Sequence, residues 1–459
     1  MTPATDYQHE SALRKVLRHA WDLLGLAWPV MLSRAGILVM AFSDIAMLGR
    51  YSTDAVAVSN LGIAIFVPVL VIAIGLVSGM VPVISQAYGA GNFQECGRAW
   101  RRAMSWAVFV SIFAMLLVWH GETWLLLFGQ DPALAGEGGA VAIALTPGLL
   151  AQVVYAACAF YMESTRRPIA ALIAMVVANI LNVGLNWIMI FGNLGWPEMG
   201  AVGAAWASTI ARFLAMGLML WIILKQRDAI AAGVRGHYET IWGPGGWRSG
   251  TMMRKLGASA GLSNGFETIG FAAMTMFAGT LGVAALGAYS ISHNLVSTVF
   301  MVGLGLAVAT GVRVGQATGA GDAREAAFAG WTGLLVAFLI MGALGVSVLV
   351  FRNDIAWAYT DDPDLALRAA AVFVFSAFVF MPDSLQVVMG QSLRALGDAW
   401  VAVAGYIFSF VVLMVPLGWW LTSFGGWDER GLILAVICGC LVATGLLAWR
   451  FRVLTKART

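Results

Sequence analysis

The chain has 459 residues, 60% of them hydrophobic and only 11% charged, with a formal net charge of +3 and a mean hydropathy of +0.83. Soluble domains carry about 25% charged residues because their surface must be solvated, so a water-soluble globule is excluded and the outer face must meet lipid. No nucleic-acid partner is expected. Residues 1–20 are polar and no small-residue cleavage site follows a short apolar core, so no cleavable signal peptide is expected. The four cysteines, Cys96, Cys158, Cys438 and Cys440, have no metal-ligand spacing with His and read as buried thiols.

Apolar runs of about 20 residues, each enough to cross a bilayer core, recur from end to end. They predict spans at 22–48, 55–82, 99–121, 138–162, 168–192 and 200–224, then at 254–280, 284–311, 327–351, 366–391, 397–422 and 431–450. The segment 225–253 is rich in Gly and charge and divides the chain near its middle. It reads as a cytoplasmic linker between an N-terminal lobe, 1–224, and a C-terminal lobe, 254–459. With the N-terminus inside, 21 Lys and Arg fall in cytoplasmic segments and four (Arg50, Arg352, Arg368 and Arg430) in external loops. That asymmetry puts both termini in the cytoplasm and requires an even number of spans.

The halves repeat each other. GLVSGMVPVISQAYGAGNFQE (75–95) matches GLAVATGVRVGQATGAGDARE (305–325) at an offset of 230, sharing Gln86/Gln316, Gly89/Gly319, Gly91/Gly321 and Glu95/Glu325. MESTRR (162–167) and GQSLRA (390–395) both follow a fourth span, and GWPEMG (195–200) and GWDERG (426–431) both precede a sixth. Corresponding loops fall on one membrane side, so the repeats are parallel and a cleft between them can rock open to either side. The expected fold is an all-α integral membrane protein of twelve transmembrane helices, in two six-helix lobes related by a parallel pseudo-two-fold repeat.

Three of the 24 acids fall within spans: Asp44, Glu267 and Asp383. A charged side chain at mid-bilayer costs about 2.5–3.5 kcal/mol on insertion scales, so each needs a cause. Pairing with Arg34 and Arg212, the basic residues placed inside spans, leaves one acid over. Arg34 also lies ten residues from Asp44, about 15 Å along a helix. A carboxylate in low dielectric can exchange H+, Na+ and an organic cation near neutral pH. Ion and cation can compete for one carboxylate or occupy different ones, and the sequence leaves both open. Asn186 lies at the depth of Asp44, with Asn182 one turn deeper. Together they are candidates for a Na+ or proton site, or alternatively for helix–helix hydrogen bonding. Glu267 and Asp383 are candidates for a second-lobe Na+ site, with Pro382 able to bend its helix and free carbonyls and Ser263 and Asn264 as helpers. The Gln-Gly segments after spans 2 and 8 lack the Lys-Ser/Thr ending of an ATP loop and read as tight turns. No nucleophile–base set or His cluster suggests an enzyme, and no cofactor is expected beyond Na+ or H+ as coupling ion.

The chain resembles the multidrug and toxic compound extrusion (MATE) family, and within it the NorM-type branch. The resemblance rests on WPVMLSRAGILVMAFSDIAMLGRYSTDAVAVSNLG in spans 1–2, Q-A-Y-G-A-G and its Q-A-T-G-A-G copy, NILNVGLNWIMIFGNLGWPEMGAVGAAWAS, and FMPDSLQVVMGQSLRALGD. It implies a V-shaped pair of lobes in a bacterial-type inner membrane and a monomeric secondary antiporter exporting cationic amphipathic compounds against Na+ or H+. It carries the family's embedded acids onto Asp44, Glu267 and Asp383, and their polar partners onto Asn182 and Asn186. Where NorM-type members often have Tyr one turn before the helix 10 acid, this chain has Val379. The alternative, a lipid-linked precursor flippase of related fold, would call for a broad basic cleft.

Overall fold

The computed structural model describes residues 12–226, 229, 231–235 and 249–458. Its long helices are α1 Ala12–Tyr51, α2 Thr53–Gly89, α3 Phe93–Trp119, α4 Pro132–Ser164, α5 Ile169–Met189 and α6 Gly200–Lys225. They are followed by α7 Thr251–Thr280, α8 Val283–Gly319, α9 Ala323–Tyr359, α10 Pro363–Ala395, α11 Trp400–Ser423 and α12 Glu429–Arg458. No strand occurs among the described residues. Eleven of these helices are apolar and long enough to cross a membrane, and α7 is the exception. Its Arg254, Lys255 and Glu267, with several Ser, Asn and Gly, dilute its apolar character, yet at 30 residues it has the length of a span.

Helix starts are fixed by side-chain caps, and two of them repeat. Asn92 accepts from the Glu95 amide at 3.2 Å, and Asp322 from the Glu325 amide at 2.8 Å, at equivalent places in the two halves. The helices outrun the predicted spans. The segments expected as turns are helical through Gly89 and Gly319, and the chain reverses only at the next residues, where Gly91 and Gly321 take positive φ. α2 is interrupted at Gly79, and α11 contains a π-helical stretch, Ile407–Met414.

α4 and α10 are the centres of the two halves. Every residue from Ala151 to Ser164 of α4 is buried, and α4 packs against α2, α3 and α6; α10 packs against α8, α9 and α12. The linker expected at 225–253 falls largely outside the described residues, as do Trp242 and Trp247. Of its described part, Ala229 and Val234 are buried, and the Gly233 carbonyl accepts from Arg101 of α3. This stretch packs on the first half rather than hanging in solvent.

The halves meet through α1 on α8, α2 on α7 and the end of α2 on α8, pairings that a pseudo-two-fold exchange of α1/α7 and α2/α8 reproduces. The seam lies at the end of the bundle bearing both termini. A Cβ on Gly75 would come within 2.7 Å of Gly261 Cα, one on Gly79 would overlap Gly257, and one on Gly89 or Gly319 would overlap the Gln316 or Gln86 carbonyl. From Gly75 to Gly89 this contact runs for about 20 Å. Gln86 and Gln316 then fasten it reciprocally. Gln86 Nε2 donates to Ala395 O at the end of α10 (2.7 Å), and Gln316 Nε2 donates to Ser164 O at the end of α4 (3.0 Å). A Gly89→Val variant should hold these ends apart. Spin labels on the exposed Gln94 and Arg324 should then report a distance longer by about 5 Å; an unchanged distance would show that the contact tolerates a side chain.

Candidate ion and substrate sites in the two halves

Asp44 lies on α1 about 20 Å beyond the Met31–Gly305 contact of the seam, and it is half-buried. α5 and α6 bring three donors to it. Asn186 Nδ2 reaches Asp44 Oδ1 at 2.6 Å, Asn182 Nδ2 reaches the same oxygen at 3.1 Å, and the Ser208 hydroxyl donates to Oδ2. The two Asn residues, one helical turn apart on one face of α5, are joined by Asn186 Nδ2 to Asn182 Oδ1 at 3.3 Å, and Asn182 Nδ2 also donates to Ser208 Oγ at 3.2 Å. Asn186 Oδ1 is buried without a hydrogen-bond partner. The grouping of Asp44, Asn182 and Asn186 expected from sequence is present, but the Asn side chains meet the carboxylate through their NH2 groups. Ser208 was missed, since a small hydroxyl in the mostly apolar string AAWASTI gives no signal beyond its position. Arg212, one turn after Ser208, lies over the Phe66 ring at 4.8 Å and interacts electrostatically with Asp44.

Glu267 of α7 and Asp383 of α10 are also together, near enough for their charges to interact. Gln386, one turn after Asp383, donates from Nε2 to Glu267 Oε1 at 3.0 Å, so its amide lies between the helix that carries Asp383 and the Glu267 carboxylate. Its own Oε1 is buried and unpartnered. Cys440 Sγ of α12 lies 3.7 Å from Asp383 Oδ1, and Thr444 Oγ1 donates to Pro382 O at 3.0 Å. Asp383 is only 4% exposed, while Glu267 is half-buried. Ser263 turns back onto its own helix, donating to Ser259 O at 2.8 Å, and Asn264 lies at the seam beside Gly75. Neither contact reaches the acids.

Two basic residues change the charge inventory drawn from sequence. Arg394, expected in a cytoplasmic segment, is 4% exposed inside the last turn of α10, beside Tyr406 of α11, and is attracted to Glu267. The helix outruns its apolar stretch, which hid this placement. Arg34 pairs with a further buried acid, Glu163, whose position one residue past the predicted span made it look like a helix end. Arg34 Nη2 lies 3.2 and 3.3 Å from the two Glu163 oxygens, and its guanidinium stacks over Phe160 at 5.1 Å. Ser33 and Tyr155 continue this network from α1 through α4 to Ala171 O of α5. Arg34 therefore has a structural role, and it neutralises none of the three acids singled out from sequence.

Two acids and one guanidinium in the second half leave a net charge of −1 when both acids are ionised; in the first half Asp44 and Arg212 cancel. Oxygen-rich, partly dehydrated clusters of this kind suit hard cations. Two carboxylates with a buried amide oxygen lacking a partner form such a donor set around Glu267 and Asp383.

The sequence model of the MatE family matches residues 29–188 and 260–420, one stretch in each half. The chain belongs to the MatE family. A probable multidrug resistance protein NorM of Caulobacter vibrioides is 34% identical over 440 residues, covering 94% of this chain and 91% of the relative. The multidrug resistance protein NorM of Photobacterium profundum is 27% identical, covering 95% of each chain. Among solved structures, that of a eukaryotic MATE transporter superposes with a TM-score of 0.87 at 17% identity, over 96% of this chain and 98% of that one. A Pyrococcus furiosus transporter, described as having a binding pocket of reversed polarity that suggests a different function, superposes at 0.85 and 17% identity, over 98% and 99%. The MatE chain is thus a multi-pass membrane transporter of the NorM type and not an enzyme, with the twelve-helix, two-lobe fold.

The buried Arg34–Glu163 pair makes a stability prediction for this MatE protein. Removing one partner of a buried pair leaves an uncompensated charge and costs about 3–5 kcal/mol. Glu163→Ala should accordingly lower the midpoint of thermal unfolding in detergent, and Arg34→Met with Glu163→Leu should recover most of the loss. A single variant as stable as the parent would show that the pair is not what holds α1 to α4.

Proposed function

We propose that the chain is a secondary active multidrug efflux antiporter, exporting cationic amphipathic organic compounds in exchange for inward Na+ or H+. The observation that carries this reading is the neighbouring Glu267–Asp383 pair beside Gln386, with net negative charge and an unpartnered amide oxygen, lying beyond the sealed stretch of the seam. Glu267 is about 9 Å past Gly261 along α7, so the pair faces the half of the bundle that the glycine contacts do not close. A monovalent cation entering there meets oxygen ligands at once.

The NorM relatives are named for multidrug resistance, which supports organic compounds as the exported substrates. The lysine and arginine bias supports cytoplasmic termini in a bacterial inner membrane. On that orientation the seam is the cytoplasmic gate. We take 1–224 and 254–459 as the rocking units, joined by 225–253, in a monomer. Coupling follows if an ion at Glu267 and Asp383 replaces a cationic substrate, or if filling that pair bends α7 and α10 so that the seam parts. Asp44, already countered by Arg212 and held by three donors, serves as a second site whose hydrogen bonds reorganise when it takes a proton or ion. The interior acids weigh against the lipid-linked precursor flippase, whose pyrophosphate they would repel.

Efflux from proteoliposomes, driven separately by a Na+ gradient and by a pH gradient, tests the reading directly. At least one gradient should drive export of an ethidium-like cation, and export under neither would sink it. In cells, Asp383→Asn should cut ethidium efflux by about tenfold or more with membrane insertion preserved; efflux at the parental rate would remove Asp383 from the coupling site. Asp44→Asn deprives Asn182, Asn186 and Ser208 of their shared charged acceptor. It should shift the apparent substrate affinity or its pH dependence by about three- to tenfold, and kinetics unchanged from pH 6 to pH 8, a range of about one unit either side of neutrality, would count against it.

A further inference from the structure

A second cavity lies at the sealed end of the bundle, away from all three acids. Its volume is about 490 Å³, and it opens among α1, the α4–α5 turn and α8. Arg166, Arg167 and Arg313 line it against one carboxylate, Asp22, giving its wall a formal charge of +2. The other charges nearby are Arg18, which interacts with Arg313, and Glu325, which lies 3.3 Å from His19 Nε2. The start of α5 also borders the cavity, with Pro168 as its N-cap residue and no side chain capping it. A helix start offers free N–H groups and positive potential to an anion.

The Arg166 and Arg313 guanidiniums are held in place. Arg166 takes a left-handed conformation (φ 61°), unusual for a residue with a side chain. Its Nε donates to Gln316 Oε1 at 2.8 Å, across the seam. Arg313 donates to His19 O at 2.6 Å and meets His19 Nδ1 at 2.8 Å, with Asp22 at 3.8 Å. The left-handed Arg166 conformation closes the end of α4, where the Arg167 amide donates back to Met162 O at 2.7 Å, and so fixes the direction in which Arg166 and Arg167 leave the helix. Beside the cavity, Ile169 and Trp21 are exposed, at the depth where aromatic and apolar side chains meet lipid headgroups.

We propose that this cavity binds a phosphate group presented by an anionic phospholipid, bridging the two lobes at the sealed end. Arg166 and Arg167 come from the first lobe and Arg313 from the second. The phosphate would draw all three together directly over the Gln316 hydrogen bonds, and parting of the lobes would take Arg313 away from the other two. Basic pockets between membrane helices recognise such headgroups by charge, so the site distinguishes phosphatidylglycerol from zwitterionic phosphatidylcholine.

Native mass spectrometry of the full chain, titrated with each lipid in detergent, tests this. Phosphatidylglycerol should bind about tenfold more tightly than phosphatidylcholine. The preference should collapse in Arg167→Gln, survive in Arg167→Lys, and survive in Arg452→Gln, which removes an exposed charge at the same end of the bundle. A preference unchanged in Arg167→Gln, or lost equally in Arg452→Gln, overturns the site. If millimolar inorganic phosphate displaces phosphatidylglycerol and stabilises the parent chain as well as the lipid does, the lipid is not its occupant.

Discussion

Two pairs of helices approach so closely at one end of this protein that no side chain fits between their backbones. Gly75 and Gly79 of α2 lie against Gly261 and Gly257 of α7, and Gly89 and Gly319 each meet the backbone of the opposite lobe. In lipid no hydrophobic force draws helices together, so close packing and interhelical hydrogen bonds must hold the halves. Small residues permit the first and the paired Gln side chains supply the second. Everything beyond the seam, including where each acid meets the cleft, follows from a fulcrum placed at this end.

The polar residues inside the bundle separate into two kinds. Arg34 and Glu163 pair with each other, and with Ser33 and Tyr155 they tie α1 to the fully buried centre of the first lobe. Asp44, Glu267 and Asp383 have partners that are mostly neutral amides and hydroxyls, with a guanidinium near but not hydrogen-bonded to the carboxylates. In the first arrangement both carboxylate oxygens already face a guanidinium. The second leaves oxygen atoms available and charge incompletely cancelled, which suits an exchanging cation.

Much of this was legible in the sequence because its signals are local or periodic. Apolar stretches of membrane length, the 230-residue repeat and the rarity of charge in spans led to twelve helices, two lobes and the three acids. Depth and the family resemblance together pointed to Asn182 and Asn186 as partners of Asp44, with helix–helix hydrogen bonding left open as the alternative. What was hidden depends on where a helix ends relative to its apolar run. Glu163 and Arg394 sit just past hydrophobic stretches, yet both are buried because the last turns of α4 and α10 are wrapped by other helices. Gln386, Ser208 and Cys440 were silent for another reason: their residue types are common in membrane helices, and only the packing of a second helix shows what they touch. The Gln-Gly segments looked like turns because Gly disfavours helix, whereas here it is the absence of a side chain that matters.

The reciprocal fastening at the seam has unequal arms. Gln86 holds a single carbonyl of α10, while Gln316 holds a carbonyl of α4 and also accepts from Arg166. If the lobes part, a duplicated device with one arm reinforced would not let go symmetrically: the weaker arm would release first, and the stronger would serve as the axle. Departure from the closed form is then a swivel about the Gln316 corner, and the widest early gap opens beside Gln86 and the end of α10.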